Sequence, residues 1–146
     1  MSGFDHGAYG ALTSLHRDIR EKFTYRSDKD KWGLVEHWED SSTLRNLRSS
    51  GVTKFVGDCE EFAMVAMDNA MRLGFNARLV TCYTETGEGH CLCEVASADF
   101  TEAYYLDNRF VRLAASADIA KYKIVSVSPW NPKAGETRPW QRAAHA

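Results

Sequence analysis

The chain has 146 residues, 44% of them apolar, and a formal net charge of −2. That length and apolar share suit a single folded domain over residues 1–146. The near balance of charge offers no basic surface for nucleic acid, and no stretch approaches the ~20 apolar residues of a membrane helix.

The opening residues, Met1-Ser2-Gly3-Phe4-Asp5-His6-Gly7, have neither the basic start nor the apolar core of a signal peptide, so a cytoplasmic location is expected. Cys59, Cys82, Cys91 and Cys93 are then expected to be reduced. Tyr9 to Phe23 reads as an amphipathic helix, with Leu12, Leu15, Ile19 and Phe23 on one face and His16 among the surface residues. Thr24 to Asp30 is polar and loop-like, and Lys31 to Trp38 carries Trp32 and Trp38 with His37 between them. Ser41 or Ser42 can cap a short helix through Leu44 and Leu47 that ends near Gly51.

Gly57-Asp58-Cys59-Glu60-Glu61-Phe62-Ala63 follows, and a helix is predicted from it. Apolar residues recur at Cys59, Phe62, Ala63, Ala66, Met67, Ala70 and Leu73, one buried helical face, and Gly74 supplies the stop. Asp58 is a good N-cap, and Glu60 and Glu61 suit the dipole in the first turn. Cys59 near the first helical position faces unpaired backbone N–H groups, which lowers a thiol's pKa.

Beyond Gly74 the pattern changes to strands. Asn76–Thr84 and His90–Ala96 flank a turn with two glycines and read as a hairpin, Ala103–Leu106 as a third strand, and Lys123–Val127 as a fourth. Ser116 or Asp118 can open a short helical turn. From Ser128 the chain reads as an irregular tail rich in Pro and Trp, a candidate docking segment for a protein partner. Helices first and a mostly antiparallel sheet after them make an α+β layout, with the Cys59 helix packed on the sheet.

Nucleophilic catalysis by cysteine needs a thiolate, a base and a group that orients the base. Cys59 opens a helix, His90 opens a strand after the Gly87/Gly89 turn, and Asp107 closes the next strand. Each stands at the end of an element, where it can face a cleft, and a carboxylate there can fix the imidazole tautomer. Cys91 and Cys93 do not make a zinc site, because no second Cys-x2–4-Cys unit accompanies them. They read as core thiols.

The segments G-D-C-E-E-F-A, G-x-G-H at a strand start and Y-Y-L-D-N-R, in that order, resemble the bacterial transglutaminase-like cysteine peptidases of the wider transglutaminase/papain-like group. Y-R-S-D-K-D-K-W-G upstream and Y-K-I-V-S-V-S-P-W-N downstream extend the likeness over Phe23 to Arg142. The resemblance implies a papain/transglutaminase-like fold with a central nucleophile helix. It also implies Cys59 as nucleophile, His90 as general base and acid, and Asp107 as orienting group. A protein or peptide would be the substrate, cleaved through a thioester. The Cys59 backbone N–H would serve the oxyanion hole, with Trp38 or a neighbour as second donor. In the adhesin-releasing branch of that family the acids flanking the nucleophile bind calcium, and Asp58 and Glu60 match their positions. Two other readings share these residues: an acyltransferase or deamidase of transglutaminase type, and a binding or structural module with an idle triad.

Overall fold

A computed structural model describes residues 3–25 and 55–142. The expectations for Lys31 to Gly51, among them His37, the short helix and the Trp38 donor, lie outside those residues.

Helix α1 spans His6–Lys22, and begins a turn earlier than the apolar pattern alone predicts because Asp5 caps it, accepting a hydrogen bond from Ala8 N. The short strand β1 (Phe23–Tyr25) follows without a break and pairs in parallel with β2 (Phe55–Gly57). The expected loop at Thr24 is therefore strand at its start.

Helix α2 spans Cys59–Arg72. Asp58 accepts from Glu60 N at 2.9 Å, and Glu61 Oε1 accepts from Asp58 N at 2.7 Å, a reciprocal cap that serves donors the helix itself cannot. Gly74, at φ +93°, ends it in the left-handed conformation that glycine adopts without a Cβ clash. The sequence assigned this helix one buried face. In the structure it is enclosed nearly all round: Glu60, Glu61, Met64, Val65 and Asp68 are buried with Phe62, Ala63, Ala66, Met67 and Ala70, and Leu73 is exposed. A helix covered by α1 on one side and by a sheet on the other has no solvent face to keep polar.

That sheet consists of β3 (Asn76–Tyr83), β4 (Gly89–Ala96), β5 (Ala103–Leu106), β6 (Lys123–Val127) and β7 (Gln141–Arg142), in the order β5-β4-β3-β6-β7 and antiparallel throughout. A 3-10 turn at Ser116–Ile119 precedes β6. Alternation along β4 divides its side chains. Cys91, Cys93 and Val95 join the core beneath α1 and α2. Leu92 joins a second cluster on the far face with Val80, Cys82, Ile119 and Tyr122. All four cysteines are free thiols, and Cys82, Cys91 and Cys93 are buried.

The segment after Ser128 is irregular as far as Trp140, as the sequence reading has it, and it is folded onto β3. Leu79 N donates to Ser128 Oγ and Ala77 N to Asn131 Oδ1, each at 2.9 Å. Arg78 lies 4.1 Å from the centre of the Trp130 ring, and the chain then returns as β7 beside β6. Backbone groups at the edge of β3 thereby find partners that water would otherwise supply.

Candidate active site

The reciprocal cap that starts α2 also fixes where Cys59 stands. Gly57 is part of this geometry: a Cβ there would lie 2.5 Å from Glu61 Cβ, so only glycine lets the Glu61 side chain fold back over the helix start. Cys59 is partly buried, and its thiol meets the backbone of Cys91, the residue next to His90 on β4. Burial, and then the negative charges of Asp58, Glu60 and Asp107, push the thiol up to about 12 against the lowering effect of that backbone contact. The expectation of a lowered thiol pKa is thus reversed. The helix N-terminus still favours the thiolate at this first position, but desolvation and three acids together disfavour it more strongly.

His90 and Asp107 do meet. Asp107 follows β5, whose Leu106 is opposite Cys93, and His90 is the second residue of β4. His90 Nε2 and Asp107 Oδ1 are 2.8 Å apart, with the histidine 6% and the aspartate 0% exposed. An ionised carboxylate only accepts, so Nε2 carries the proton of the neutral ring and Nδ1 is left as the basic nitrogen. Among the described residues no hydrogen bond joins Cys59 Sγ to His90. The structure therefore brings His90 and Asp107 into contact and sets Cys59 beside the β4 backbone one residue away.

Three residues around the pair were not singled out from the sequence as functional. The Tyr122 hydroxyl donates to Asp107 Oδ2 at 2.9 Å, and its ring stands edge-on to the imidazole with centres 5.5 Å apart. Arg109 N donates to Asp107 Oδ1 at 3.0 Å, a turn closed by the aspartate's own side chain that the run Asp107-Asn108-Arg109 could have signalled. His16, expected at the surface, is fully buried. Its Nε2–H donates to the Asp107 carbonyl at 3.1 Å while its ring meets the edge of Phe62. His16 lies four residues after Leu12 and three before Ile19, on the one buried stripe of α1, a spacing that could have signalled its burial.

Asp58 and Glu60 are both buried at the start of α2, and Asp58 Oδ1 is engaged in the cap. Among the described residues no group of three or more His, Cys, Asp or Glu is placed to hold a metal. Two carboxylates fall short of the ~6–8 oxygen ligands of calcium, so the described residues do not by themselves fit that ion.

A cysteine at the N-terminus of a buried helix, packed on an antiparallel sheet whose strand ends carry a His–Asp pair, defines a papain/transglutaminase-like α+β protein. The chain belongs to the transglutaminase-like superfamily, whose family model matches residues 2–115. Among solved structures, EGTA-treated LapG of Legionella pneumophila is similar with a TM-score of 0.65 at 16% identity, over 92% of this chain and 66% of LapG. Calcium-bound LapG of the same organism gives 0.62 at 15% identity, over 92% of this chain and 74% of that one. At this identity the likeness is one of fold, and the chain spans about two thirds to three quarters of the LapG chains it matches. No curated protein matches the chain.

Proposed function

We propose that the protein is a cysteine peptidase that hydrolyses a peptide or amide bond of a protein or peptide substrate. The observation that carries the reading is the buried His90–Asp107 hydrogen bond of 2.8 Å, within a superfamily fold that sets Cys59 at the start of α2 beside β4. With its pKa raised to about 12, Cys59 is a neutral thiol at rest. In this reading His90 Nδ1 takes the Sγ proton as sulfur attacks the carbonyl carbon. Asp107 holds the opposite N–H and stabilises the imidazolium that forms. The Cys59 N–H, with no acceptor in the first helical turn, is available to the developing oxyanion. His90 then protonates the leaving amine, a thioester remains on Cys59, and water activated by His90 releases the acid and restores the thiol.

Acyl transfer or deamidation is the second enzyme reading, because the acylation half is common to all three: transfer puts an amine in place of water, and deamidation takes glutamine as the acyl donor. A calcium reading would need further oxygen ligands beside Asp58 and Glu60. Equal melting temperatures in calcium and in EGTA would remove that reading.

The test is an assay of cleavage against a peptide library, read by mass spectrometry, with and without a primary amine. His90→Ala should lower turnover by about 10²–10⁴-fold, the range that general acid–base assistance supplies, and Cys59→Ser, which removes the thiol nucleophile, at least as much. Full activity in either variant would overturn the peptidase reading. Products carrying the added amine would favour the transferase.

A further inference from the structure

Asp107 is fully buried, and different donors serve its two oxygens. Oδ1 receives His90 Nε2–H and the Arg109 backbone N–H, at 2.8 and 3.0 Å. Oδ2 receives the Tyr122 hydroxyl at 2.9 Å. Arg109 fixes the direction of this last bond. Its Nη1 can only donate, and it lies 2.9 Å from Tyr122 Oη, so the hydroxyl lone pair is taken and its single proton is left for the carboxylate. The same Nη1 is 2.8 Å from Glu85 Oε1 in the β3–β4 turn, where an opposite charge offsets that of the guanidinium.

A carboxylate held through one oxygen can still turn about its Cβ–Cγ bond and carry the imidazole partner with it. Closing the second oxygen removes that freedom, and in a buried site no water stands ready to replace the donor. Tyr122 suits the task because it is itself anchored. It is 8% exposed and packs in the far-face cluster with Val80, Leu92 and Ile119. Its ring also closes one side of the His90 imidazole, at 5.5 Å and 74°. One side chain thus touches both members of the pair.

We propose that Tyr122 is a positioning residue of the Cys59–His90–Asp107 site, its hydroxyl holding Asp107 Oδ2 so that Oδ1 stays on His90 Nε2 while its ring restrains the imidazole. The kinetic consequence rests on the peptidase reading, but the geometric one does not.

Tyr122→Phe keeps the ring and removes the donor. In protein labelled with 15N-histidine, the His90 Nε2–H should exchange with water about tenfold faster than in wild type, the worth of one hydrogen bond to a charged acceptor. The melting temperature and the exchange of the β4 and β6 amides should stay at wild-type values. Iodoacetamide alkylation of Cys59, followed by peptide mass spectrometry, should slow by a similar factor. Faster His90 exchange with unchanged alkylation would support the positioning role and count against Cys59 and His90 acting together, so the two ideas fail separately. Unchanged His90 exchange overturns the proposal, and so does faster exchange shared by the β4 and β6 amides, which would mark general loosening. If Tyr122→Phe does not fold, the decisive measurement uses 13Cζ-labelled Tyr122 in wild type and Asp107→Asn. The phenol should ionise at higher pH in wild type, where Oδ2 holds its proton, and coincident titrations would overturn the proposal.

Discussion

Cys59 occupies the first position of α2, where unpaired N–H groups favour a thiolate, yet burial and the carboxylates of Asp58, Glu60 and Asp107 hold its thiol at about 12. Desolvation comes first among these causes and the acids add to it. Asp58 contributes twice, as the helix cap and as a negative charge beside sulfur. The two roles separate in Asp58→Asn, because asparagine caps as well as aspartate but carries no charge. The pH profile of iodoacetamide alkylation at Cys59 should therefore move to lower pH in that variant while the melting temperature changes little. An unmoved profile would mean that burial alone sets the thiol. His90 and Asp107 depend on a different local device. Each needs its neighbour to define its state, the carboxylate by accepting on Oδ1 and the imidazole by giving up Nε2–H.

At the scale of elements, the start of α2 is the most constrained stretch of the site. Glu61 folds back to accept from Asp58 N, and the space it uses exists because residue 57 has no side chain. Gly57→Ala places a methyl group 2.5 Å from Glu61 Cβ, an atom with little freedom to retreat. The variant should lose about 1–3 kcal/mol, the usual cost of overpacking a filled site, as measured by urea unfolding. A wild-type midpoint would show that β2 can shift without disturbing the cap. The sheet supplies the other half of the site through strand ends. The β4–β5 register brings the end of β5 alongside β4, and alternation along β4 turns Cys91 toward α2 and Leu92 to the far face. The 3-10 turn and β6 then bring Tyr122 under the pair.

Across the whole molecule, His16 ties α1 to the site through the Asp107 carbonyl. Burial lowers its pKa below the ordinary 6.5, Arg20 adds to the lowering, and the Asp107 hydrogen bond and charge oppose it. The folded state then binds fewer protons at this group than the unfolded chain does below pH 6.5. Stability rises with pH wherever the unfolded state binds more protons, so this group costs nothing above pH 6.5 and subtracts stability as pH falls from 6.5 toward its lowered folded value. His16→Gln keeps an N–H donor for the carbonyl and cannot titrate. Its melting temperature should fall less than that of wild type between pH 7 and pH 5, and parallel curves would assign the acid sensitivity elsewhere. The C-terminal segment closes the molecule in a comparable way. Asn131, Ser128 and Trp130 attach it to β3 through backbone and side-chain contacts.

Elements whose signals are local were legible in the sequence. Asp58 and Gly74 bracket α2 by capping chemistry, Ala103–Leu106 and Lys123–Val127 are strands at the expected residues, and the alternation that separates Cys91 and Cys93 from Leu92 follows from strand geometry alone. The candidates Cys59, His90 and Asp107 were legible because each sits at an element end in a recognisable order. Three features were decided only by tertiary structure. The near-complete enclosure of α2 depends on where α1 packs, which no periodicity within a single helix records. The place of Tyr122 depends on a contact across fifteen residues, which hydrophobic patterning does not encode. The raised thiol pKa depends on how much water the assembled fold leaves around sulfur. A sequence specifies the dipole and the neighbouring charges, but desolvation is a property of the packed molecule.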